Sequence, residues 1–307
     1  MYNDLFSQAG LSLDRLRSFC SVAEAGGVTK AAGGNPTRQS QFSRQIKELE
    51  TFFGTELTRR QGKSIVLSSA GIRLARIARE SFTALDDFHR GCKSEPTEFS
   101  IGGGDALLQW LLFPRIAQLH DALPTVAFHL LSLRTLDIAE QVNDLRLDFG
   151  LVRRDAVSLL HKFEPLGMQT YSLFVPVELL RDRKAPDWKE VIASVPLATI
   201  TGEGAFRASL EKEASKGKLH LKFSLSCSSF PQAAKALQSE RYAAILPSIA
   251  SAELDLNHFV AIPTPFLKSQ AREICLIWNP RIADLRPMTI EIKNCLIKLF
   301  RLPSKRS

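Results

Sequence analysis

Arg38, Gln39, Ser40, Ser43, Arg44 and Lys47 fall within ten consecutive positions, and their side chains share one chemistry. A glutamine side chain can pair with the major-groove edge of adenine. Arginine can grip guanine or a phosphate, and serine and lysine suit phosphate oxygens. Thr29 and Lys30 stand just upstream, and Arg60 and Lys63 just downstream. Over residues 28–79 ten basic residues face three acidic ones, a net of +7. The whole chain of 307 residues carries +8, so nearly all the excess sits here. A charge run alone is most often a solvated helix face. One that coincides with helix punctuation reads as a nucleic-acid footprint.

The elements that must position these side chains are helical. Leu13, Leu16, Phe19 and Ala23 recur at helical spacing and predict a first helix ending near Gly26-Gly27. Thr29 is placed to cap a short second helix through Ala31 and Ala32, which Gly33-Gly34-Asn35-Pro36 breaks. Phe42, Ile46, Leu49 and Phe53 lie within ~60° of each other on a helical wheel and form the buried stripe of a third helix. Ser40, Ser43, Arg44 and Lys47 then project outward. Its N-cap is either Asn35, with Pro36 at the first helical position, or Thr37, and Thr37 is favoured. Two short helices, a glycine turn and a longer helix with a polar face describe a helix-turn-helix. Leu57–Arg60 and Ile65–Leu67, around a turn at Gln61-Gly62-Lys63-Ser64, predict a β-hairpin wing with Arg60 and Lys63 near phosphates.

A further helix follows from Ser68 or Ser69 to about residue 94. Leu74, Ala78, Ser81, Leu85, Phe88 and Cys92 alternate steps of four and three, a heptad seam that points to dimerisation through a linker about 36 Å long. An ordinary amphipathic helix packed on its own domain remains the alternative.

Other chemistries lack their parts. Five cysteines are scattered with no C-x-x-C pair, so reduced thiols are expected rather than disulfides or zinc. The six histidines are isolated, and no metal or cofactor site is expected. Gly62-Lys63-Ser64 resembles the end of a phosphate loop, but Leu57 stands where its first glycine belongs. Gly102 and Gly104 lack the third glycine of a dinucleotide fingerprint, Leu107 standing there. No catalytic constellation is present, and an enzyme is not expected. The longest apolar run, Leu107–Phe113, is far too short to span a bilayer. Met1–Gly10 lacks the basic start and apolar run of a signal peptide, so a cytoplasmic setting is expected.

The segments Thr29-Lys30-Ala31-Ala32, Ser43-Arg44-Gln45-Ile46-Lys47-Glu48-Leu49-Glu50, Phe53-Gly54-Thr55-Glu56-Leu57, Arg60 and Leu67-Ser68-Ser69-Ala70-Gly71 resemble the LysR-type transcriptional regulators. The match is close over residues 11 to about 93 and rests on pattern alone beyond. There are departures. The family usually has apolar residues where Asn35 and Thr37 stand, Ser-Gln-Pro where Arg38-Gln39-Ser40 stand, and an aromatic at Thr58. These leave the DNA sequence that would be read open. The resemblance implies a DNA-binding regulator that forms a homodimer or homotetramer on double-stranded DNA. It also implies a C-terminal two-lobed domain, like a periplasmic binding protein, that holds a small-molecule effector. A small-molecule binding module with a vestigial DNA reader is the alternative.

The expected fold is therefore α/β with an N-terminal all-α winged helix-turn-helix. The reader spans 11–68, the linker helix 69–94 and the effector domain 97–303. Lobe I takes about 97–172 and 276–303, and lobe II about 173–275. Strands alternate with helices through the long C-terminal part, which argues for parallel sheets. The chain is expected to cross between lobes near Tyr171–Pro176 and Arg272–Trp278. Ligands of open α/β sheets bind beyond the carboxyl ends of strands. That points to Gly103, Gly104, Asp105, Arg134 and Thr135 in the first lobe, and to Thr201, Gly202, Ser226 and Ser228 in the second. The family often has a hydroxyl residue where Gly104 stands. With only backbone donors and the Asp105 carboxylate there, an effector other than a simple carboxylate is expected.

Overall fold

A computed structural model of the chain describes residues 5, 7–61, 64–180, 187–201, 205–255, 257–262 and 264–302. It divides into two compact units, residues 1–95 with 144–146, and residues 96–143 with 147–307.

In the first unit α1 (Leu13–Ala25) starts at Ser12, whose hydroxyl accepts from the Arg15 amide, and stops at Gly26 in the left-handed region. Gly27 precedes α2 (Val28–Ala32), so Thr29 lies inside the helix and is not its cap. Helix α3 (Pro36–Phe53) is capped by Asn35, whose side chain accepts from the amides of Thr37 at 3.0 Å and Arg38 at 3.2 Å. The favoured Thr37 is thus corrected. Pro36 has no N–H to satisfy and its fixed φ suits the first helical position, which leaves Asn35 as the cap. Phe42, Ile46 and Leu49 are buried against Phe19, Val22, Val28 and Leu57. Phe53 does not join them. It lies in the last turn, past the core, 37% exposed and edge-on to Phe52. Strands β1 (Thr58–Gln61) and β2 (Ser64–Leu67) pair antiparallel as the wing, and α4 runs from Ser69 to Lys93.

The second unit holds two five-stranded sheets. Its strands are β3 (Thr97–Gly103), β4 (Val126–Ser132), β5 (Phe149–Arg153), β6 (Lys162–Gln169), β7 (Tyr171–Pro176), β8 (Leu197–Ile200), β9 (Phe223–Cys227), β10 (Ala243–Pro247), β11 (Phe259–Ile262) and β12 (Arg272–Trp278). Lobe I has the order β4-β3-β5-β12-β6, and lobe II has β11-β7-β10-β8-β9. Neither sheet is wholly parallel. In lobe I, β4, β3 and β5 are parallel, while β12 runs antiparallel to β5 and β6. In lobe II, β7 opposes β10 and β11. The chain enters each lobe from the other at these strands, which reverses their direction.

The crossings fall at Thr170, between β6 and β7, and between β11 and β12. All of β12, from Arg272, therefore belongs to lobe I, and β7 belongs to lobe II from Tyr171. The expected boundaries at 276 and 172 are shifted accordingly. An apolar strand buried on both faces carries no mark of which sheet it joins.

Asp148 and Arg286 tie lobe I together. The Arg286 guanidinium donates to Asp148 Oδ1 at 2.7 Å and to the Glu98 carbonyl at 2.6 Å, and lies 3.7 Å from the Phe99 ring centroid. The other Asp148 oxygen accepts from the amide and hydroxyl of Ser100 at 2.6 and 2.7 Å. Burial pushes the Asp148 carboxyl up while Arg286 pulls it down. His161 is a satisfied core residue, its Nε2 2.9 Å from the Ala139 carbonyl. Among the described residues no cluster could hold a metal ion, and no helix is long and apolar enough to cross a membrane.

Candidate functional site

The polar residues of α2 and α3 form one open face. Residues 33–41 are all exposed, as are Thr29, Lys30, Ser43, Arg44 and Lys47. This follows from the buried stripe, because Phe42, Ile46 and Leu49 turn the other side of α3 inward. Gln39, Ser40 and Ser43 carry no charge and stand between Arg38 and Arg44 near the N-terminal end of α3. Arg38 leans toward the Phe42 ring, 5.8 Å from its centroid. Arg44 lies 3.8 Å from Glu48, whose other oxygen accepts from Arg15 on α1 at 2.5 Å. That second bond is the shorter, so Arg44 is held loosely and is available to an anion.

The wing is fixed to α3 by one carboxylate. Glu50 Oε1 accepts from the amides of Leu57 and Thr58 at 2.9 and 3.0 Å and from the Thr58 hydroxyl at 3.1 Å. Thr58 thus contributes a bond that an aromatic ring would not. Arg59 and Arg60 are exposed on β1. Lys63 lies outside the described residues. The Ser68 hydroxyl donates to the Glu56 carbonyl at 2.7 Å and accepts from the Gly71 amide at 3.0 Å, joining the wing to the start of α4.

Along α4 the six seam positions divide. Leu74 is half-buried and Ala78 is buried within the chain, whereas Ser81 and Cys92 are exposed, Leu85 is 50% exposed and Phe88 is 73% exposed. Ile77, 51% exposed, stands four residues before Ser81 and extends this outer strip. The sequence reading passed over it because the inward strip Leu74–Ala78 fits the same heptad one residue away.

The two lobes bring their strand ends together in two groups. In lobe I, Gly103 pairs with Ser132 across β3 and β4, and the Leu133 amide donates to the Gly103 carbonyl at 3.1 Å. Gly104, Asp105, Arg134 and Thr135 therefore share one edge. The Ser132 hydroxyl donates to the Asp105 carboxylate. In lobe II, the Thr201 amide and hydroxyl both donate to the Cys227 carbonyl, at 2.6 and 3.0 Å. The Ser228 hydroxyl and amide donate to Gln232 Oε1 at 2.8 and 2.9 Å. Ser226 is exposed beside them, and Gly202 lies outside the described residues. The short helix α5 (Asp105–Leu107), which runs into a π-turn over Leu108–Leu112, packs Ala106 and Trp110 among Ala233, Ala234 and Leu237 of lobe II.

Three features of this unit escape the sequence reading. Tyr171, Phe206 and Phe230 pack ring against ring, with centroids 4.8, 5.9 and 5.1 Å apart. Gln169 donates to the Tyr171 oxygen at 3.1 Å, and burial raises that phenol's pKa. The Trp110 indole donates to Glu253 at 2.6 Å, and Gln109 donates to the same oxygen at 3.1 Å, linking lobe I to lobe II. The ring cluster and the Trp110–Glu253 bond join residues far apart in the chain, which no local periodicity signals.

Residues 13–72 match the family described as bacterial regulatory helix-turn-helix proteins of the lysR family, and residues 93–287 match the LysR substrate binding domain. The HTH-type transcriptional regulator YfeR of Shigella flexneri is 28% identical over 145 residues, 46% of this chain and 47% of that protein. The HTH-type transcriptional regulator DgdR of Burkholderia cepacia is 29% identical over 147 residues, 46% of this chain and 49% of that protein. The chain spans about half the length of these curated relatives. Among solved structures, ArgP from Mycobacterium tuberculosis superposes with a TM-score of 0.64 at 16% identity, covering 95% of this chain and all (100%) of that one. Full-length CbnR complexed with its target DNA gives 0.56 at 17% identity, over 93% and 100%. At such identities these two show the fold alone.

Proposed function

The chain belongs to the LysR family, and from that premise we propose that it is a sequence-specific, double-stranded-DNA-binding transcriptional regulator modulated by a small molecule. Helix α3 enters the major groove with Gln39 on base edges and Arg38, Ser40, Ser43, Arg44 and Lys47 on bases or phosphates. Thr29, Lys30, Arg60 and Lys63 hold the flanking backbone. A homodimer, formed through the exposed strip of α4 at Ser81, Leu85 and Phe88, sets two such helices on half-sites. A homotetramer would pair two of these dimers. The observation that carries this reading is the solvent-open face of residues 33–41 with Ser43, Arg44 and Lys47, backed by a buried stripe.

The effector sits in the cleft, between Gly103, Gly104, Asp105, Arg134 and Thr135 on one side and Thr201, Gly202, Ser226 and Ser228 on the other. The Asp105 carboxylate favours a neutral or cationic molecule over a simple carboxylate. Binding shifts the population between two placements of the lobes, and through them of the subunits. Selection of bound duplexes from a random pool tests the DNA half of this reading. A single enriched, dyad-like motif is expected. Ligand affinity without any sequence-specific shift would instead make the chain a solute-binding module. For the cleft, calorimetry showing tight carboxylate binding that Asp105→Ala abolishes would contradict the proposed effector class.

A further inference from the structure

A second cavity, of about 550 Å³, opens where the chain crosses between the lobes. It shares none of the residues assigned to the effector cleft. Its volume falls within the range of small-molecule sites. Both lobes build its wall: Trp110 and Leu111 come from lobe I, and Leu267 from the segment returning from lobe II.

The polar groups of the wall are concentrated. Thr170, the crossing residue, donates through its hydroxyl to Ser248 Oγ at 3.0 Å, and Ser172 Oγ lies 2.9 Å from the same atom. The Ser248 amide donates to the Thr170 carbonyl at 2.8 Å, which holds the hydroxyl cluster in place. Thr264, 5% exposed, also lines the cavity, and its hydroxyl has no hydrogen-bond partner. Arg115 and Lys268 supply two positive charges, and no acidic residue is among the described residues of the wall. One Arg115 nitrogen donates to the Leu111 carbonyl at 2.8 Å, which orients the guanidinium. Glu253, on the Trp110 side, is occupied by the indole and by Gln109.

We propose that this cavity is a second ligand site, which takes a small amphiphilic carboxylate with an aryl or alkyl body. The apolar body packs against Trp110, Leu111 and Leu267. The carboxylate meets Arg115 or Lys268 and accepts from the hydroxyls of Thr170, Ser172 and Ser248. Such a ligand touches both lobes at their crossing, so its occupancy biases their relative placement. The proposal does not rest on the cleft assignment or on DNA binding.

The test uses the full chain with 4-phenylbutyrate as probe and its neutral primary amide as control. Calorimetry reads affinity, and tryptophan fluorescence reads location, because Trp110 lines the cavity. Saturable binding of the acid is expected, with a fluorescence change that Trp110→Phe removes while the heat persists. Lys268→Glu, at an exposed position that leaves the fold intact by circular dichroism, should raise the Kd about tenfold, and Arg115→Gln should act in the same direction. The absence of saturable heat would overturn the proposal, as would equal affinity for the amide. Loss of acid binding in Asp105→Ala would place the probe in the cleft and overturn it too.

Discussion

Gly71, in the first turn of α4, lies directly under the carbonyl of Leu57, so that any Cβ added there would strike the Leu57 oxygen. The Leu57 carbonyl is backbone and is already held by the Ser68 amide at 2.9 Å, so it has little room to move. This contact is where the wing, the buried end of the reader and the linker meet. Gly71→Ala should therefore destabilise the first unit by about 1–3 kcal/mol, the usual cost of overpacking. Gly91, further along the same helix, has nothing within 4 Å of its added Cβ. Gly91→Ala should stabilise by about 0.5–1 kcal/mol. Urea unfolding followed by circular dichroism distinguishes the pair. Equal and small effects would mean that the close approach at Gly71 does not hold the unit together.

The face proposed to meet DNA separates by chemistry into two kinds of residue. Arg44→Ala and Arg60→Ala should weaken binding to every duplex alike and flatten the slope of log K against log salt by about 0.9 each. Gln39→Ala should leave that slope alone and relax sequence preference at its position. If the selected motif stays the same without the Gln39 amide, the base-reading role belongs to another side chain.

Asp148 and Arg286 form a buried pair joined across 138 residues. Arg286→Met leaves a buried carboxylate without its cation and should cost about 3–5 kcal/mol at neutral pH. The sign of the pH dependence follows from burial. Burial raises the Asp148 pKa, and removal of Arg286 takes away the largest opposing influence. The folded form of the variant then binds its proton more tightly than the unfolded chain does. Stability should fall as pH rises from the unfolded carboxyl value through the raised folded one, and should recover on acidification. Thermal unfolding of the variant at pH 5 and pH 8 checks this, with the smaller deficit expected at pH 5.

The five cysteines are free thiols in very different places. Burial pushes Cys20 and Cys275 up to about 11, so at pH 8 both are protonated as well as covered. Cys92, near the end of α4, is exposed. A colorimetric thiol assay at pH 8 should show one fast thiol in the native protein, lost in Cys92→Ser, and five after denaturation. A native fast phase that survives Cys92→Ser would place another cysteine at the surface.

Much of the reader was legible from residue order alone. The stripe Phe42, Ile46, Leu49, the glycine stops at Gly26, Gly33 and Gly54, and the span of α4 are local patterns, set by helix periodicity and by which residues tolerate a left-handed turn. The outward placement of Gln39, Arg44 and Lys47 follows from that stripe without any knowledge of the tertiary fold. Where two local signals competed, as at Asn35 and Thr37, packing and the proline decided. Phe53 kept the right spacing yet fell past the end of the core. The strand ends that carry Gly103, Asp105, Thr201 and Ser228 were visible as apolar runs followed by turns. Which runs pair, and in which direction, was not visible, because hydrogen bonding between strands joins residues that sequence spacing does not relate. The Asp148–Arg286 pair, the Trp110–Glu253 bond, the Tyr171–Phe206–Phe230 cluster and the cavity at the crossing belong wholly to the tertiary structure. Each depends on segments that only long-range chain closure brings within reach.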